Sequence, residues 1–103
     1  MNSITLDGRL TRDPELRRTQ SGKAVVELNI ASDRSDGSGT EFFKSTFWNK
    51  QAETISQYFG KGDQIIIYGE LRTDEYQDKD GVNQRKHYIL GNRFAFGSKA
   101  NKE

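Results

Sequence analysis

Cysteine is absent from this chain of 103 residues, and proline and tryptophan occur once each. The lack of cysteine excludes disulfide bonds, thiol catalysis and cysteine-ligated zinc. No apolar run approaches the roughly 20 residues that a membrane span needs. Residues 1–4 also lack the basic segment and apolar stretch with which a signal peptide begins. We therefore expect a soluble, cytoplasmic protein without a membrane partner.

A surplus of charge is lacking too, because 16 Lys and Arg residues stand against 15 Asp and Glu residues, for a net charge of +1. Dedicated binders of duplex DNA usually carry a basic surplus. Any electropositive groove must therefore come from the arrangement of side chains on one face. We expect affinity for a polyanion to depend more on stacking than on charge.

Catalytic and metal-binding patterns are also missing. The single histidine, His87, has no cysteine or second histidine nearby, which favours an exposed or hydrogen-bonded side chain over a metal ligand. The acidic turn at residues 78–81 resembles a calcium loop, but that frame places Tyr76 and His87 where carboxylates are needed. No nucleophile motif, carboxylate pair or phosphate-binding glycine loop is evident. We expect no enzyme activity, no metal and no cofactor.

What the chain does have is a succession of short strands. Period-two alternation bounded by turn residues predicts strands over residues 4–10, 24–31, 41–48, 63–73 and 88–96, with a short extended piece over residues 15–19. Helical spacing predicts one helix over residues 50–59, capped by Asn49. Residues 74–78 and 83–86 read as the arms of a hairpin around Lys79-Asp80-Gly81, where Asp-Gly is a tight-turn signal.

This order of elements defines a fold class. Five strands, with one short helix between the third and fourth and a long hairpin between the fourth and fifth, are typical of the OB-fold, an all-β barrel that often binds oligonucleotides. We expect one OB-fold domain over residues 1–97 and a short polar end over residues 98–103. The predicted core rows are Val26, Leu28 and Ile30; Ile65, Ile67 and Leu71; and the helical Ala52, Ile55, Ser56 and Phe59. Gly8 interrupts the first strand and suggests a bulge or tight bend.

The aromatic strand carries the main functional signal. Alternation places Phe43, Ser45 and Phe47 on one face, as a core row, and Phe42, Lys44, Thr46 and Trp48 on the other. Two large rings with a cation between them suit the bases and phosphates of a single-stranded nucleic acid. A strand buried on both faces, with an extended lysine, would give the same pattern.

Further candidates lie outside that strand. Tyr76, on the hairpin arm, is either a second stacking ring or a cross-strand packing residue. Arg72 shares its face on an extended strand. Other cations are individually ordinary solvated side chains but together could follow phosphates. The predicted site residues are Trp48, Phe42, Tyr76, Lys44, Arg34, Arg72, Lys50 and Lys61.

Two apolar side chains point away from the core row of their own strand. Ile66 and Tyr68 alternate with Ile65 and Ile67. They would be exposed in a monomer, which predicts either a subunit interface or cover from the helix.

Beyond these patterns, residues 1–96 resemble the bacterial single-stranded DNA-binding protein family. The matching motifs are Gly-Arg-Leu at residues 8–10, Arg-Asp-Pro-Glu at 12–15, Ser-Gly-Lys-Ala at 21–24, Thr-Glu-Phe at 40–42, Ala-Glu at 52–53, Tyr-Phe-Gly-Lys-Gly at 58–62, Gly-Glu-Leu-Arg-Thr at 69–73 and Tyr-Gln-Asp-Lys-Asp-Gly at 76–81. The resemblance implies an OB-fold that binds single-stranded DNA without strong sequence preference in replication, recombination and repair. It also implies a homotetramer and a cytoplasmic, nucleoid-associated location.

The resemblance assigns stacking roles to three residues. Phe42 and Tyr76 stand where the family usually has Trp, and Trp48 stands where Phe is common. Lys44 replaces another basic residue between the rings.

Departures from the family pattern affect the loops, the interface and the end of the chain. Arg34 and Ser35 remain in a shortened second loop, and Asp74 and Glu75 replace residues that are often basic. Phe43 replaces a frequent His near the subunit contact. Together with Ile66 and Tyr68, it completes the predicted oligomer interface. The flexible linker and acidic tip of the family are missing, so recruitment of proteins through a tail is not expected.

The predicted function is non-enzymatic binding of single-stranded DNA by a homo-oligomer, with a tetramer favoured and a dimer possible. One alternative is a primosome-type OB dimer that mainly bridges replication proteins. A second is an RNA-binding OB module. A third, an OB-fold nuclease, lacks the carboxylate cluster that would hold its metal.

Overall fold

A computed structural model of the protein describes residues 1–99. Over this range six strands and one helix follow one another along the chain. They are β1 (Ile4–Leu10), β2 (Glu15–Arg18), β3 (Ala24–Asp33), β4 (Thr40–Trp48), α1 (Asn49–Tyr58), β5 (Gln64–Gln77) and β6 (Asn83–Phe96).

Five of these strands close into a barrel. The sheet runs β1-β5-β6-β4-β3, and β1 closes it by pairing with β3 through Arg9–Ala31 and Leu10–Ile30. All barrel pairs are antiparallel except β4 with β6. The short β2 pairs with residues 24–27 of β3, on the part of that strand's edge that β1 does not cover. This confirms the predicted all-β OB-fold, with its helix between the third and fourth barrel strands and its long hairpin between the last two.

The core consists of the inward rows of the barrel strands and one face of the helix. Val26, Ile30, Phe47, Ile65 and Ile67 have no exposed surface. From α1 the core receives Ala52 and Ile55, also without exposure, and Phe59 follows directly after the helix at 6%. The predicted rows on β3 and the helix are therefore confirmed, apart from a half-buried Ser56.

Two glycines let backbone and rings approach closely. A Cβ on Gly91 would lie 2.2 Å from Cζ of Phe47, so the Phe47 ring occupies the space that a side chain would need. A Cβ on Gly8 would lie 2.5 Å from the carbonyl oxygen of Ala31. The predicted bulge at Gly8 is wrong, because β1 pairs with β5 in unbroken register from Ile4 to Arg9. The glycine instead permits the contact that closes the barrel.

Two predicted core positions are also wrong. Phe43 is 37% exposed because β6 pairs with β4 only at Ser45 and Thr46, leaving the first half of β4 uncovered on that side. Leu71 is 41% exposed because β5 extends past its last partner on β1, which is paired with Gly69.

The helix start also differs from the prediction. Asn49 does not cap α1 but is its first residue, with a φ of 60°. Asparagine tolerates this left-handed conformation better than most residues. Trp48 occupies the cap position without a side-chain hydrogen bond, so the chain passes from strand to helix at the tryptophan itself.

The described end of the chain is anchored to β5. The backbone of Gly97 and Ser98 exchanges hydrogen bonds with Gln64, and the Lys99 ammonium lies 3.2 Å from the Asp63 carboxylate. The polar end predicted to start at residue 98 therefore begins with two residues that are bonded to Gln64 and Asp63. Residues 100–103 lie outside the described residues.

Candidate nucleic-acid interface

The outward row of β4 is the first part of the site. Ser45 and Phe47 point inward and have no exposed surface, so alternation turns Phe42, Lys44 and Trp48 outward. Phe42 is 72% exposed and Trp48 is 38% exposed. The two rings are six positions apart, which corresponds to about 20 Å along a strand. They can therefore contact different nucleotides of one strand.

The second part is the arm formed by the outer halves of β5 and β6. Cross-strand partners share a face, and the register pairs Arg72 with Tyr88 and Tyr76 with Gln84. The Tyr76 ring is 48% exposed, and the ammonium of Lys86 lies 5.6 Å from its centroid. The arm thus presents two tyrosines and a lysine on the face that Arg72 and Tyr76 were predicted to share.

A groove joins the two parts. It has a volume of about 220 Å³ and lies between the outward row of β4 and the base of the arm. The side chains that line it are Glu27, Lys44, Thr46, Trp48, Asp74, Lys86, His87 and Tyr88. We call it the Trp48 groove. It brings together Trp48 and Lys44 from the predicted site. Phe42 lies further along the same strand, and Tyr76 stands at a larger concavity of about 550 Å³ near the tip of the arm.

Sequence reasoning missed Lys86, Tyr88 and Glu27. The hairpin that was predicted around Lys79-Asp80-Gly81 could have revealed the first two, because strands that pair around these three residues are centred on Asp80. In the observed register, the two residue numbers of every pair from Arg72–Tyr88 to Gln77–Asn83 add up to 160. Extending the hairpin by that rule places Tyr88 and Lys86 beside the predicted Arg72 and Tyr76.

The cations of the predicted site differ in their partners. The Arg34 guanidinium is 2.8 Å from the Glu41 carboxylate and 3.8 Å from that of Asp36. Arg72 donates to Glu70 through Nε at 2.9 Å. Over residues 1–99, Lys44 and Lys86 form no ion pair within 4.0 Å. The lysines of the Trp48 groove can therefore meet a phosphate without first releasing a carboxylate.

Lys50 and Lys61 occupy opposite ends of the helix. Lys50 follows Trp48 by two residues, whereas Lys61 lies in the turn after α1, beside Asp13 and Lys99. A helix of ten residues is about 15 Å long. Lys50 is therefore close to Trp48 along the chain and Lys61 is not, and the side chains that line the Trp48 groove include neither lysine.

The predicted interface residues lie on the outside of the barrel. Ile66 and Tyr68 are half-buried on the outward face of β5, between β1 and β6. The main contacts of α1 are to β3, β4 and β2, so the helix does not account for their partial burial. Instead the Arg93 guanidinium lies 4.2 Å from the centroid of the Tyr68 ring.

Two hydrogen-bonded carboxylates fix the loops beside the site. A hydrogen bond from the Gln84 amide, with others from the backbone of Val82 and Asp80, lowers the pKa of Asp78 in the hairpin turn. A hydrogen bond from Ser38 lowers the pKa of Asp36 in the glycine-rich loop. Both groups are therefore ionised and acting as acceptors at neutral pH.

The single histidine forms a hydrogen bond, as one of its two sequence-based interpretations predicted. Nδ1 of His87 is 3.2 Å from the Thr73 hydroxyl.

Residues 1–99 contain no group of three or more His, Cys, Asp or Glu side chains that could hold a metal ion. None of the helices in the described part of the chain is long and apolar enough to cross a membrane.

Comparison with known proteins gives the context of this geometry. The sequence profile of the "Single-strand binding protein family" matches residues 1–96, which span every strand of the barrel and both parts of the site. The chain belongs to this family. Its members are binding proteins, so this protein is not an enzyme.

Similar family members occur in several bacteria. The chain is 34% identical over 109 residues to a "Single-stranded DNA-binding protein" of Borreliella burgdorferi, covering 98% of this chain and 73% of the relative. It is 37% identical over 108 residues to the protein of the same name from Clostridium tetani, covering 100% and 74%. It is 35% identical over 100 residues to "Single-stranded DNA-binding protein B" of Bacillus subtilis, covering 92% and 88%. The resemblance seen in the sequence is thus confirmed.

Proposed function

We propose that this protein binds single-stranded DNA, largely without sequence preference, by stacking bases on exposed rings while lysines meet the phosphates. The observation that carries the proposal is the exposure of Trp48 and Phe42 on the outward row of β4. Lys44 lies between them and has no ion pair within residues 1–99. Stacking tolerates any sequence because every base has a flat face. The role that follows is protection of single strands during replication, recombination and repair.

The proposed path begins at the Trp48 groove, where Trp48 and Tyr88 offer rings and Lys44 and Lys86 offer charge. It continues along β4 to Phe42 in one direction and along the arm to Tyr76 in the other. Lys50 borders the groove end of this path. Arg34 and Arg72 take part after exchanging their carboxylate partners for phosphate, and Lys61 contacts only a strand that passes the far end of the helix.

A binding experiment with four matched nucleic acids tests the function. A labelled DNA single strand, its RNA equivalent, the DNA duplex and the RNA duplex are titrated with protein and followed by fluorescence anisotropy. We expect the DNA single strand to bind most tightly, because duplexes hide the base faces that stacking requires. Tighter binding of the RNA strand would favour the RNA-binding alternative, and equal binding of duplex and single strand would contradict the proposal.

We also propose that the protein is a homo-oligomer, with a tetramer favoured over a dimer, that uses the outward face of β5. Ile66 and Tyr68 support this because they leave apolar surface between β1 and β6, and Phe43 adds an exposed ring on β4. We expect Ile66→Asp to lower the mass measured by sedimentation equilibrium. A dimeric wild type with feeble affinity for DNA would instead favour the primosome-type alternative. The proposed location is the cytoplasm, in association with the nucleoid.

A further inference from the structure

The outer part of the arm is a ribbon of only two strands. Within residues 1–99, β6 pairs with β4 at Ile89 and Leu90 alone, so from the Arg72–Tyr88 pair outward β5 and β6 pair only with each other. A two-stranded hairpin without further neighbours is marginally stable in water. The order of the Tyr76 ring, which lies on this ribbon, therefore depends on what closes the hairpin.

Asp78 closes the hairpin with its side chain as well as its backbone. Its Oδ1 accepts hydrogen bonds from the backbone N–H groups of Asp80 and Val82, at 2.9 and 3.0 Å. Its own N–H donates to the carbonyl oxygen of Val82, and its carbonyl oxygen accepts from the N–H of Gly81. Among residues 71–87 Asp78 is the only one that is not exposed. It is therefore the residue around which the tip is folded.

The second oxygen of this carboxylate connects the turn to the stacking ring. Oδ2 of Asp78 accepts a hydrogen bond of 2.9 Å from Nε2 of Gln84. Gln84 is the cross-strand partner of Tyr76, and such partners lie side by side on one face of a hairpin. Both also line the concavity near the tip of the arm. Asp78 thus holds the side chain that lies next to the ring.

The charge of Asp78 opposes binding of a polyanion at this place. The hydrogen bond from Gln84 and those from the turn backbone lower its pKa, so the group is ionised at neutral pH. An ionised carboxylate repels phosphate, and electrostatics alone predicts tighter binding once it is removed. Any favourable contribution of Asp78 has to come from the order that it gives the tip. The two effects have opposite signs and can be separated.

We infer that Asp78 is a positioning residue for DNA binding, which holds the hairpin tip and Gln84 so that Tyr76 presents its ring to a base. The inference rests on the proposed function, since it requires DNA to reach Tyr76. A tip that is ordered before binding has less conformational freedom to lose when the base stacks.

Two substitutions at Asp78 separate order from charge. Asp78→Ala removes the charge and all three side-chain hydrogen bonds. Asp78→Asn removes only the charge, because its amide oxygen accepts from the same two N–H groups and its amide nitrogen donates to Gln84 once the Gln84 amide turns over. Asp80→Ala is the matched control, since it removes the same charge from an exposed neighbour whose carboxylate accepts none of these bonds.

Anisotropy titrations with labelled oligo(dT) give the Kd of each variant. We expect Asp78→Ala to raise the Kd about two- to tenfold, the usual cost of ordering a mobile side chain on binding. Asp78→Asn and Asp80→Ala should bind as tightly as the wild type or slightly more tightly, because each loses a negative charge. Thermal unfolding should be nearly unchanged in all three, since none of residues 72–88 belongs to the core.

A double-mutant cycle shows whether the effect acts through the ring. In a Tyr76→Ala background, Asp78→Ala should change the Kd little, because the ring that it positions is gone. A general loss of structure would instead weaken binding by the same factor in both backgrounds.

The results that would overturn the inference differ from the result that would overturn the function. If the wild type binds oligo(dT) and the two Asp78 variants have equal Kd, Asp78 does not position the ring, while the proposed function stands. The same conclusion follows if the loss in Asp78→Ala persists in full without Tyr76. If the wild type does not bind oligo(dT), the proposed function fails and the inference fails with it.

Discussion

Trp48 lies where β4 turns into α1, and its neighbours along the chain fix the position of its backbone. Phe47 is locked in the core and Asn49 makes a left-handed turn into the helix. The 38% of the Trp48 residue that remains exposed faces the groove lined by Lys44 and Lys86. Because the backbone at Trp48 is already ordered, stacking of a base on the ring has only side-chain freedom to restrict.

The first prediction compares Trp48 with a distant cation. Trp48→Ala should weaken binding of labelled oligo(dT) about 5- to 100-fold, the usual effect of losing one stacking ring. Lys61→Ala should change the affinity little, because Lys61 lies at the far end of α1. Trp48→Phe serves as the control and should retain most of the affinity. Equal losses for Trp48→Ala and Lys61→Ala in anisotropy titrations would argue against stacking as the main contribution.

The second prediction concerns paired and unpaired cations. Lys44→Ala and Lys86→Ala should each reduce the slope of log K against log salt by about 0.7, the value for one phosphate contact on a single strand. Arg34→Ala should reduce it less, because Glu41 and Asp36 already neutralise Arg34 in the free protein. Titrations at several salt concentrations measure all three slopes. A larger change for Arg34→Ala than for either lysine variant would show that the free-state ion pairs do not govern phosphate contact.

At the scale of elements, the site depends on how tightly β4 is held against β6. The Phe47 ring fills the space over Gly91 and meets Phe94 edge-on, with 5.8 Å between ring centroids. The contact sits directly behind the outward row, since Phe47 immediately precedes Trp48. A change at Gly91 therefore tests whether core packing sets the position of the stacking ring.

The third prediction follows from this contact. Gly91→Ala should destabilise the protein by about 1–3 kcal/mol, because the new Cβ would overlap the Phe47 ring and force the core to shift. Denaturant unfolding gives the free energy. Asn92→Ala, at the neighbouring exposed position, is the control and should change stability by less than about 0.5 kcal/mol. A Gly91→Ala variant as stable as the wild type would mean that β6 can move away from Phe47 at no cost.

The elements also show how much of the fold can be predicted from the local sequence pattern. Alternation correctly predicted the buried row Val26, Leu28 and Ile30, because β3 has partners along both edges. The same rule failed at Phe43 and Leu71, where a strand extends past a neighbour that the sequence does not reveal. The arms predicted as separate pieces, residues 74–78 and 83–86, prove continuous with β5 and β6.

Prediction of the candidate site was limited in the same way, because the sequence pattern shows which residues share a strand face but not which strands meet. Trp48, Phe42 and Lys44 were recognisable because they lie on one strand, where spacing alone determines the face. Lys86, Tyr88 and Glu27 were missed because they reach the groove from other strands. Only the closed barrel and the hairpin register bring them to Trp48.

At the scale of the whole molecule, the near balance of charge shapes how the protein can bind DNA. A net charge of +1 leaves little long-range attraction, and several surface arginines are already paired with carboxylates. Counterion release should therefore contribute less than it does for strongly basic proteins. We propose that affinity comes mainly from rings placed where bases can reach them.

Titration of Trp48 fluorescence with oligo(dT) at two salt concentrations tests this claim most directly, because the chain has a single tryptophan. We expect strong quenching at saturation at both concentrations, with only a modest rise in Kd at the higher one. Emission that stays constant while a labelled oligo(dT) binds would show that the strand does not cross Trp48, and the account would be wrong.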